Sequence, residues 1–368
     1  MIAAAERPWI LSADADGCNR MATSTHGIET RALEQPDVQA WDSFVLQHPA
    51  GTIFHRLPWS WAVQAAYDHQ PMHLTSWASG QLVGVLPLFL VRSVFVGRVL
   101  VSVPYGTYGG ILAENDRAAA ALLDAAQATA RRCGVAYLEL RHREPNALDL
   151  QEIDRYDTFR KALPSRVEDV LPSFPKKARA AARAGLETLT TETGPHLLGV
   201  VYDLYTRTMR RLGSPNYRRK LFDQLHQHFG GDAVCLVVRS GGEPVAGVMS
   251  FVFRDEIMPY FSGSTAAGRA ADANNVMYLR LMEYAVQRGL RWFDFNRTRR
   301  DNLGPHAFKR HLGFEPTRLH YQISLNRARH LPNLTPSRRP FALAGKVWRR
   351  LPLCLTRPIG GRITKWVP

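Results

Sequence analysis

Gly134-Val135-Ala136-Tyr137-Leu138-Glu139-Leu140-Arg141 and Gly289-Leu290-Arg291-Trp292-Phe293-Asp294-Phe295-Asn296 are two copies of one pattern: a glycine, an apolar and aromatic strand, and an acid five residues after the glycine. Each stretch follows a helical segment. Arg117 to Cys133 is alanine-rich and has good helix propensity, and Asn274 to Arg288 places Met277, Leu281, Met282 and Ala285 on one face. The glycines end both helices, where a left-handed residue is commonly needed. Further upstream the correspondence continues. His73 to Ala78, the turn Ser79-Gly80-Gln81 and the apolar run from Leu82 to Leu88 read as a hairpin, as do Ala233 to Arg239, Ser240 to Glu243 and Val245 to Met249. Val101 to Gly110 and Met258 to Gly263 then supply one more strand each, ending in aromatics and glycines.

Hairpin, strand, helix, strand, written twice, predicts an α/β chain with two tandem halves, each a mixed sheet flanked by helices. The expected boundaries are a disordered or non-native extension over 1–26, a first half over 27–165, a second half over 166–326, and a basic, proline-rich tail over 327–368. Met21 is an alternative to Met1 as the native start.

A chain of 368 residues with 45% hydrophobic content buries enough core for two compact units. The net charge of +15 is lopsided. Of 47 basic residues 11 follow Glu315, the last acid, which leaves 36 basic against 32 acidic residues before it. A core that is nearly balanced, with no recognisable nucleic-acid module, argues against DNA binding. Cys18, Cys133, Cys235 and Cys354 have no metal-ligand spacing, so no metal is expected. Residues 1 to 20 are broken by Arg7, Asp14, Asp16 and Arg20 and do not read as a signal peptide. Leu82 to Pro104 is interrupted by Pro87, Arg92, Gly97 and Arg98 and reads as buried strands rather than a membrane span. A cytoplasmic protein is expected. Tryptophans, aliphatics and arginines mixed in the tail suit peripheral contact with an anionic membrane face.

The element order is the central part of the GNAT acetyltransferase fold, and two copies in one chain resemble the FemAB arrangement. Pro104 to Gly110, Phe293 to Arg297 and Phe308-Lys309-Arg310-His311-Leu312-Gly313-Phe314-Glu315-Pro316 resemble the FemAB-like proteins of bacterial exopolysaccharide and PEP-CTERM (exosortase-associated) systems. The resemblance implies an acyltransferase that moves an acyl group from an activated donor to an amine or hydroxyl of a cell-envelope or exopolysaccharide precursor, sugar-linked or peptidyl. The alternatives are aminoacyl-tRNA-dependent peptidyl transfer, with tRNA as a partner, and a catalytically idle scaffold in a polysaccharide-export complex.

Acyl transfer needs a donor site, hydrogen-bond donors for the developing oxyanion and a proton acceptor. Thr265-Ala266-Ala267-Gly268-Arg269-Ala270 keeps part of the pyrophosphate loop of coenzyme A acetyltransferases, with Thr265 at the first position where glutamine or arginine is usual. Gly268 and Arg269 are thus candidates to bind acyl-coenzyme A. Lys176, Arg179 and Arg183 share one face of a helix and suit phosphates of coenzyme A, RNA or a nucleotide-linked acceptor; a merely solvated face is the alternative. By resemblance, Arg211 binds an anionic group of the acceptor with Tyr217 nearby, and Tyr260, Tyr108 and Phe308 also belong to the substrate site. Glu139 reads as half of an ion pair with Arg141, whereas Asp294, with Arg297 as a candidate partner, is placed near a cleft. The expected catalytic residues are Lys309, Asp294 and His55. Lys309 would act on the carbonyl or anchor the acceptor, and its removal is expected to leave the fold intact.

Overall fold

In the computed structural model, residues 22–25, 27–330 and 339–367 are described; the expectations for residues 1–21 lie outside them. The chain forms two compact units. One comprises residues 1–60, 68–152 and 321–331, the other residues 61–67, 153–320 and 332–368.

The first unit is built on the hairpin β1 (Leu74–Ala78) and β2 (Gln81–Leu86), the hairpin β3 (Phe89–Ser93) and β4 (Gly97–Val101), helix α1 (Asp116–Arg132) and strand β5 (Tyr137–His142). Strand β5 runs parallel to β4, with Leu100 opposite Leu138 and Val101 opposite Glu139. Pro87, with no N–H to donate, falls where β2 gives way to β3, and the sheet divides there into two. Ala22–Thr25 pairs with Ile28–Arg31 at the edge of one of them, so the expected extension over 1–26 contributes a strand. His320–Leu325 lies in the other, beside β5, so the chain returns to the first unit near its end. Helix α1 starts where the Asn115 side chain accepts from Ala118 N–H at 3.0 Å.

The second unit holds α2 (Lys176–Leu186), β6 (Leu189–Thr193), α3 (Leu198–Leu212), β7 (Ala233–Ser240), β8 (Glu243–Phe253), β9 (Glu256–Ser264), α4 (Ala273–Gln287), β10 (Trp292–Asp294) and α5 (Leu303–His311). One sheet has the order Arg160–Ala162, β10, β9, β8, β7, β6. Strand β8 is continuous where β2 and β3 are split, and β10 runs parallel to β9 as β5 does to β4. The connectivity is therefore repeated: hairpin, strand, helix, parallel strand. Helix α4 is buried nearly all round, by Val276, Met277, Leu279, Leu281, Met282 and Ala285, because the sheet covers one side of it and α2 packs against another.

The described part of the tail is helical. It forms α6 (Arg339–Arg350) and α7 (Leu353–Ile363), both packed on α3 within the second unit. Small residues permit the approach. A Cβ on Gly213 would lie 2.7 Å from Gly345 O, and one on Gly360 would lie 2.5 Å from Asn216 Oδ1. Arg357 pairs with Asp203 and donates to Thr206 Oγ1 at 3.1 Å, while Thr364 Oγ1 lies 3.2 Å from Tyr67 Oη. No helix among the described residues is long and apolar enough to cross a membrane.

Candidate functional site

A sheet edge that opens between two parallel strands exposes backbone groups that need partners. Strand β9 stays paired with β8 as far as Ser264, but meets β10 only at Glu256–Trp292 and Ile257–Phe293. Beyond that point β10 turns away, and Phe295 N–H donates to Phe159 O at 2.9 Å instead. A bulge against β8 leaves Tyr260 without an opposite residue, as bulges do where a side chain is re-aimed. One side-chain rung crosses the fork: Asn296 Nδ2 donates to Pro259 O at 2.9 Å.

Asp294, fully buried at the end of β10, shapes the turn. Its Oδ1 accepts from Asn296 N–H at 2.6 Å and from Thr158 Oγ1 at 3.0 Å, and Asn296 adopts φ of 48°, a left-handed conformation that asparagine tolerates. Arg297 lies over the Tyr156 ring at 5.1 Å. Into the turn reaches Lys309 from α5, only 8% exposed. Its Nζ donates to Phe295 O at 2.9 Å, Asn296 O at 3.1 Å and Thr298 Oγ1 at 2.6 Å, and sits 4.9 Å from the Phe159 ring centre. Burial lowers the Lys309 pKa to about 7, against the opposing pull of the Asp294 charge. An amine so placed changes its protonation near neutral pH, which is what proton transfer at that pH requires.

Tyr278 closes the back of this cluster. Its ring packs on Phe295 at 4.8 Å and Phe308 at 5.7 Å, its hydroxyl donates to Ser262 Oγ at 3.4 Å, and burial raises its pKa. Phe308 is thus a packing partner in the core of the second unit. Tyr217 stacks on Tyr205 at 6.3 Å and meets Phe261 edge-on at 5.9 Å, and Tyr260 meets Phe261 at 4.8 Å.

Arg211 and Arg269, read from the sequence as serving different ligands, come close enough to feel each other. Desolvation and then the Arg269 charge lower the Arg211 pKa. Neither makes an ion pair among the described residues; Arg269 donates to Ser264 O at 2.8 Å. The Gly268 N–H is taken by the Thr265 hydroxyl at 3.0 Å, and a Cβ on Gly268 would lie 2.4 Å from Val245 O. That glycine is accounted for by close packing, and the free charge here belongs to the arginines. On α2 the small residues Ala178, Ala182 and Gly185 face inward, leaving Lys176 and Arg183 exposed and Arg179 half-buried, with no acidic partner among the described residues.

His55 and Tyr108 belong to the first unit. They line a cavity of 490 Å³ beside the start of α1 and the end of β5, a size common for ligand sites. His55 is engaged at both ring nitrogens: Nδ1 accepts from Thr52 N–H at 3.2 Å and Nε2 lies 3.1 Å from Gly110 O. Burial lowers its pKa to about 3, and that of His73 equally. This arrangement leaves no ring nitrogen to take a proton from substrate, and it explains His55 as a capping residue. Unfolded histidine titrates near 6.5. Between that value and about 3 the unfolded chain holds more protons, so stability must fall as pH drops. The urea midpoint is expected to decline from pH 7 to 5 and the decline to flatten in a His55→Gln, His73→Gln double variant; a midpoint indifferent to pH would contradict this. Glu139 behaves as expected, accepting from Arg141 Nε at 2.7 Å, and Arg141 also donates to Val103 O and Gly106 O.

Thr158, Tyr278, Asn296 and Thr298 were missed from the sequence. Asp294-Phe295-Asn296 carries a usable signal, because an acid two residues before an asparagine is a common turn former. Thr158 carries none, since its contact with Asp294 spans 136 positions. Among the described residues no group of three or more histidine, cysteine, aspartate or glutamate side chains is placed to hold a metal ion.

Residues 173–310 match the model of the acetyltransferase (GNAT) domain family. Among solved structures the chain resembles FemX at 15% identity and a TM-score of 0.60, over 81% of this chain and 98% of that one. It resembles a tandem GNAT protein from the clavulanic acid biosynthesis pathway at 14% identity and a TM-score of 0.51, over 81% and 98% of the two chains. The C-terminal domain of a putative lysylphosphatidylglycerol synthetase from Agrobacterium fabrum is similar at 13% identity and a TM-score of 0.51, over 78% and 91%. No curated protein matches the chain in sequence. The matched residues lie within the second unit, and the fold of the chain is similar to that of FemX and of a tandem GNAT protein.

Proposed function

We propose that the protein is an acyltransferase whose chemistry is performed at the β9–β10 fork, on an amine or hydroxyl of a cell-envelope or exopolysaccharide precursor. The observation that carries this reading is Lys309: a buried amine at the mouth of a strand fork, titrating near neutrality and held beside a buried carboxylate. In such a reaction the acceptor's nitrogen or oxygen bonds to the acyl carbon, the bond to the donor's sulfur or oxygen breaks, and the acceptor's proton ends on the leaving group. Lys309, whose ammonium donates to Phe295 O, Asn296 O and Thr298 Oγ1, would act on a developing oxyanion through its charge, and would hand a proton to the leaving atom, or as amine take the acceptor's proton, by exchanging one of these internal bonds for substrate.

Acyl-coenzyme A is the donor we favour, because Arg211 and Arg269 are two neighbouring cations with no carboxylate between them, suited to a phosphate. An Arg211→Ala, Arg269→Ala double variant is expected to raise the KM for an acyl-coenzyme A about 10-fold or more with kcat nearly unchanged. An unaltered KM would remove the pair from the donor site. A second reading, aminoacyl-tRNA as donor, draws on the basic face of Lys176, Arg179 and Arg183 on α2. It requires tRNA binding that weakens steeply with salt. The neighbours' names, FemX and lysylphosphatidylglycerol synthetase, fit a peptidyl or lipid-linked acceptor. The cavity beside Tyr108 in the first unit is a further place where a sugar or peptidyl ligand would fit.

A further inference from the structure

A helix docked on a globular body normally turns its large apolar residues inward and its small or polar ones outward. Helix α7 does the reverse. Thr356 and Gly360, with Thr364 just past the end of the helix, form its buried face at four-residue spacing, while Leu355 and Ile359 stand 46% and 39% exposed. Helix α6 repeats the pattern, with Gly345 against Gly213 and with Leu343 and Val347 64% and 54% exposed. The exposed side chains are again four residues apart, so on each helix they form one stripe rather than scattered sites.

The charges beside these stripes have one sign. Lys346, Arg349 and Arg350 are exposed on α6 and Arg362 on α7, and no acid occurs after Glu315. Arg357 is neutralised by Asp203 beneath the helix, which fixes α7 to the body. Each helix thus presents aliphatic side chains flanked by exposed cations that have no acidic partner among the described residues. Apolar burial and attraction to negative headgroups act together on such a face, and neither suffices alone.

We propose that α6 and α7 form a docking surface for an anionic lipid bilayer, with Leu343, Val347, Leu355 and Ile359 entering the headgroup boundary and Lys346, Arg350 and Arg362 contacting lipid phosphates. The proposal concerns the tail alone and stands whether or not the strand fork transfers acyl groups.

The test is co-sedimentation of the full chain with vesicles of phosphatidylcholine, with and without phosphatidylglycerol. Binding is expected to the anionic vesicles and to fall as salt rises from 50 to 500 mM, as screening requires. A Leu355→Glu, Ile359→Glu variant and a Lys346→Glu, Arg350→Glu, Arg362→Glu variant are each expected to lose 10-fold or more of the binding. Both alter exposed side chains, and unchanged melting temperatures would show that the body is intact. The proposal is overturned if the wild-type chain fails to bind anionic vesicles at low salt, or if either variant binds as the wild type does. It is equally overturned if sedimentation velocity shows a dimer that the Leu355→Glu, Ile359→Glu variant dissociates, since a second copy would then cover the face.

Discussion

Replacing Lys309 by alanine is expected to lower kcat about 100-fold, the scale of losing one group that acts on a developing oxyanion. The structure adds a second consequence that the sequence did not suggest. Because Lys309 Nζ serves Phe295 O, Asn296 O and Thr298 Oγ1, its loss orphans buried acceptors and should cost roughly 2–4 kcal/mol of stability. Activity must therefore be measured well below the variant's melting temperature. A methionine in its place fills the space without charge and isolates the electrostatic part. Unfolded lysine titrates near 10.4 and the folded one near 7, so between these values the unfolded state holds the extra proton and stability rises with pH. Below 7 both states are protonated and the burial penalty is present in full. The wild type is expected to gain a few kcal/mol more than Lys309→Met between pH 7 and 10 in urea titrations. Parallel pH profiles for the two proteins would show that Lys309 is not desolvated, and wild-type kinetics in Lys309→Ala would remove it from the chemistry.

Ending the chain after Leu331 is expected to destabilise the second unit by on the order of 5 kcal/mol, from the lost burial and hydrogen bonds of two docked helices. The truncation strips Arg357 from Asp203, Thr364 from Tyr67 and the Arg357 carbonyl from Asn216 Nδ2, and it uncovers the α3 surface around Gly213. For a domain of this size the melting temperature should fall by about 10 °C or more. A truncated protein melting with the wild type would mean that the helices are not held on the body. The composition of the tail pointed to a surface segment, and Leu343, Val347, Leu355 and Ile359 are exposed with Lys346, Arg350 and Arg362, whereas Trp348, Leu353 and Ile363 are half-buried. What composition hid was the small-residue face: Thr356, Gly360, Gly361 and Thr364 look unremarkable until Asn216 and Arg218 are packed against them.

The fold was legible because the signals that set it are local. Gly134 and Gly289 end their helices, and the strands after them repeat position by position, so the duplicated order of elements could be read without coordinates. The split of the first sheet near Pro87 was less visible, because a proline in an apolar run does not say whether a strand ends or bends there. The site was legible only in part. Lys309 and Asp294 do come together, each buried, because Asp294 ends β10 and Lys309 lies on the helix that follows it closely in sequence. Their surroundings were not readable, since Thr158 and Phe159 arrive from a segment more than 130 positions upstream. His55 shows the opposite failure. It was expected among the catalytic residues, while its role in capping a short turn depends on Thr52 and on Gly110, 55 residues away.

The central claim is that the second unit binds an activated acyl donor at its strand fork, and donor-dependent thermal stabilisation tests it most directly. A ligand that binds only the native state stabilises it by about 2.7 kcal/mol at 100 times its Kd, and the effect keeps growing with concentration. The wild-type chain should show a saturable, concentration-dependent rise in melting temperature with acetyl-coenzyme A, much reduced in the Arg211→Ala, Arg269→Ala variant. The same rise with charged tRNA in place of acetyl-coenzyme A would keep the acyltransferase and change the donor. No stabilisation by acetyl-coenzyme A, longer acyl-coenzyme A or charged tRNA at millimolar, millimolar and micromolar concentrations respectively would contradict the claim and leave the chain a GNAT-like scaffold without a donor.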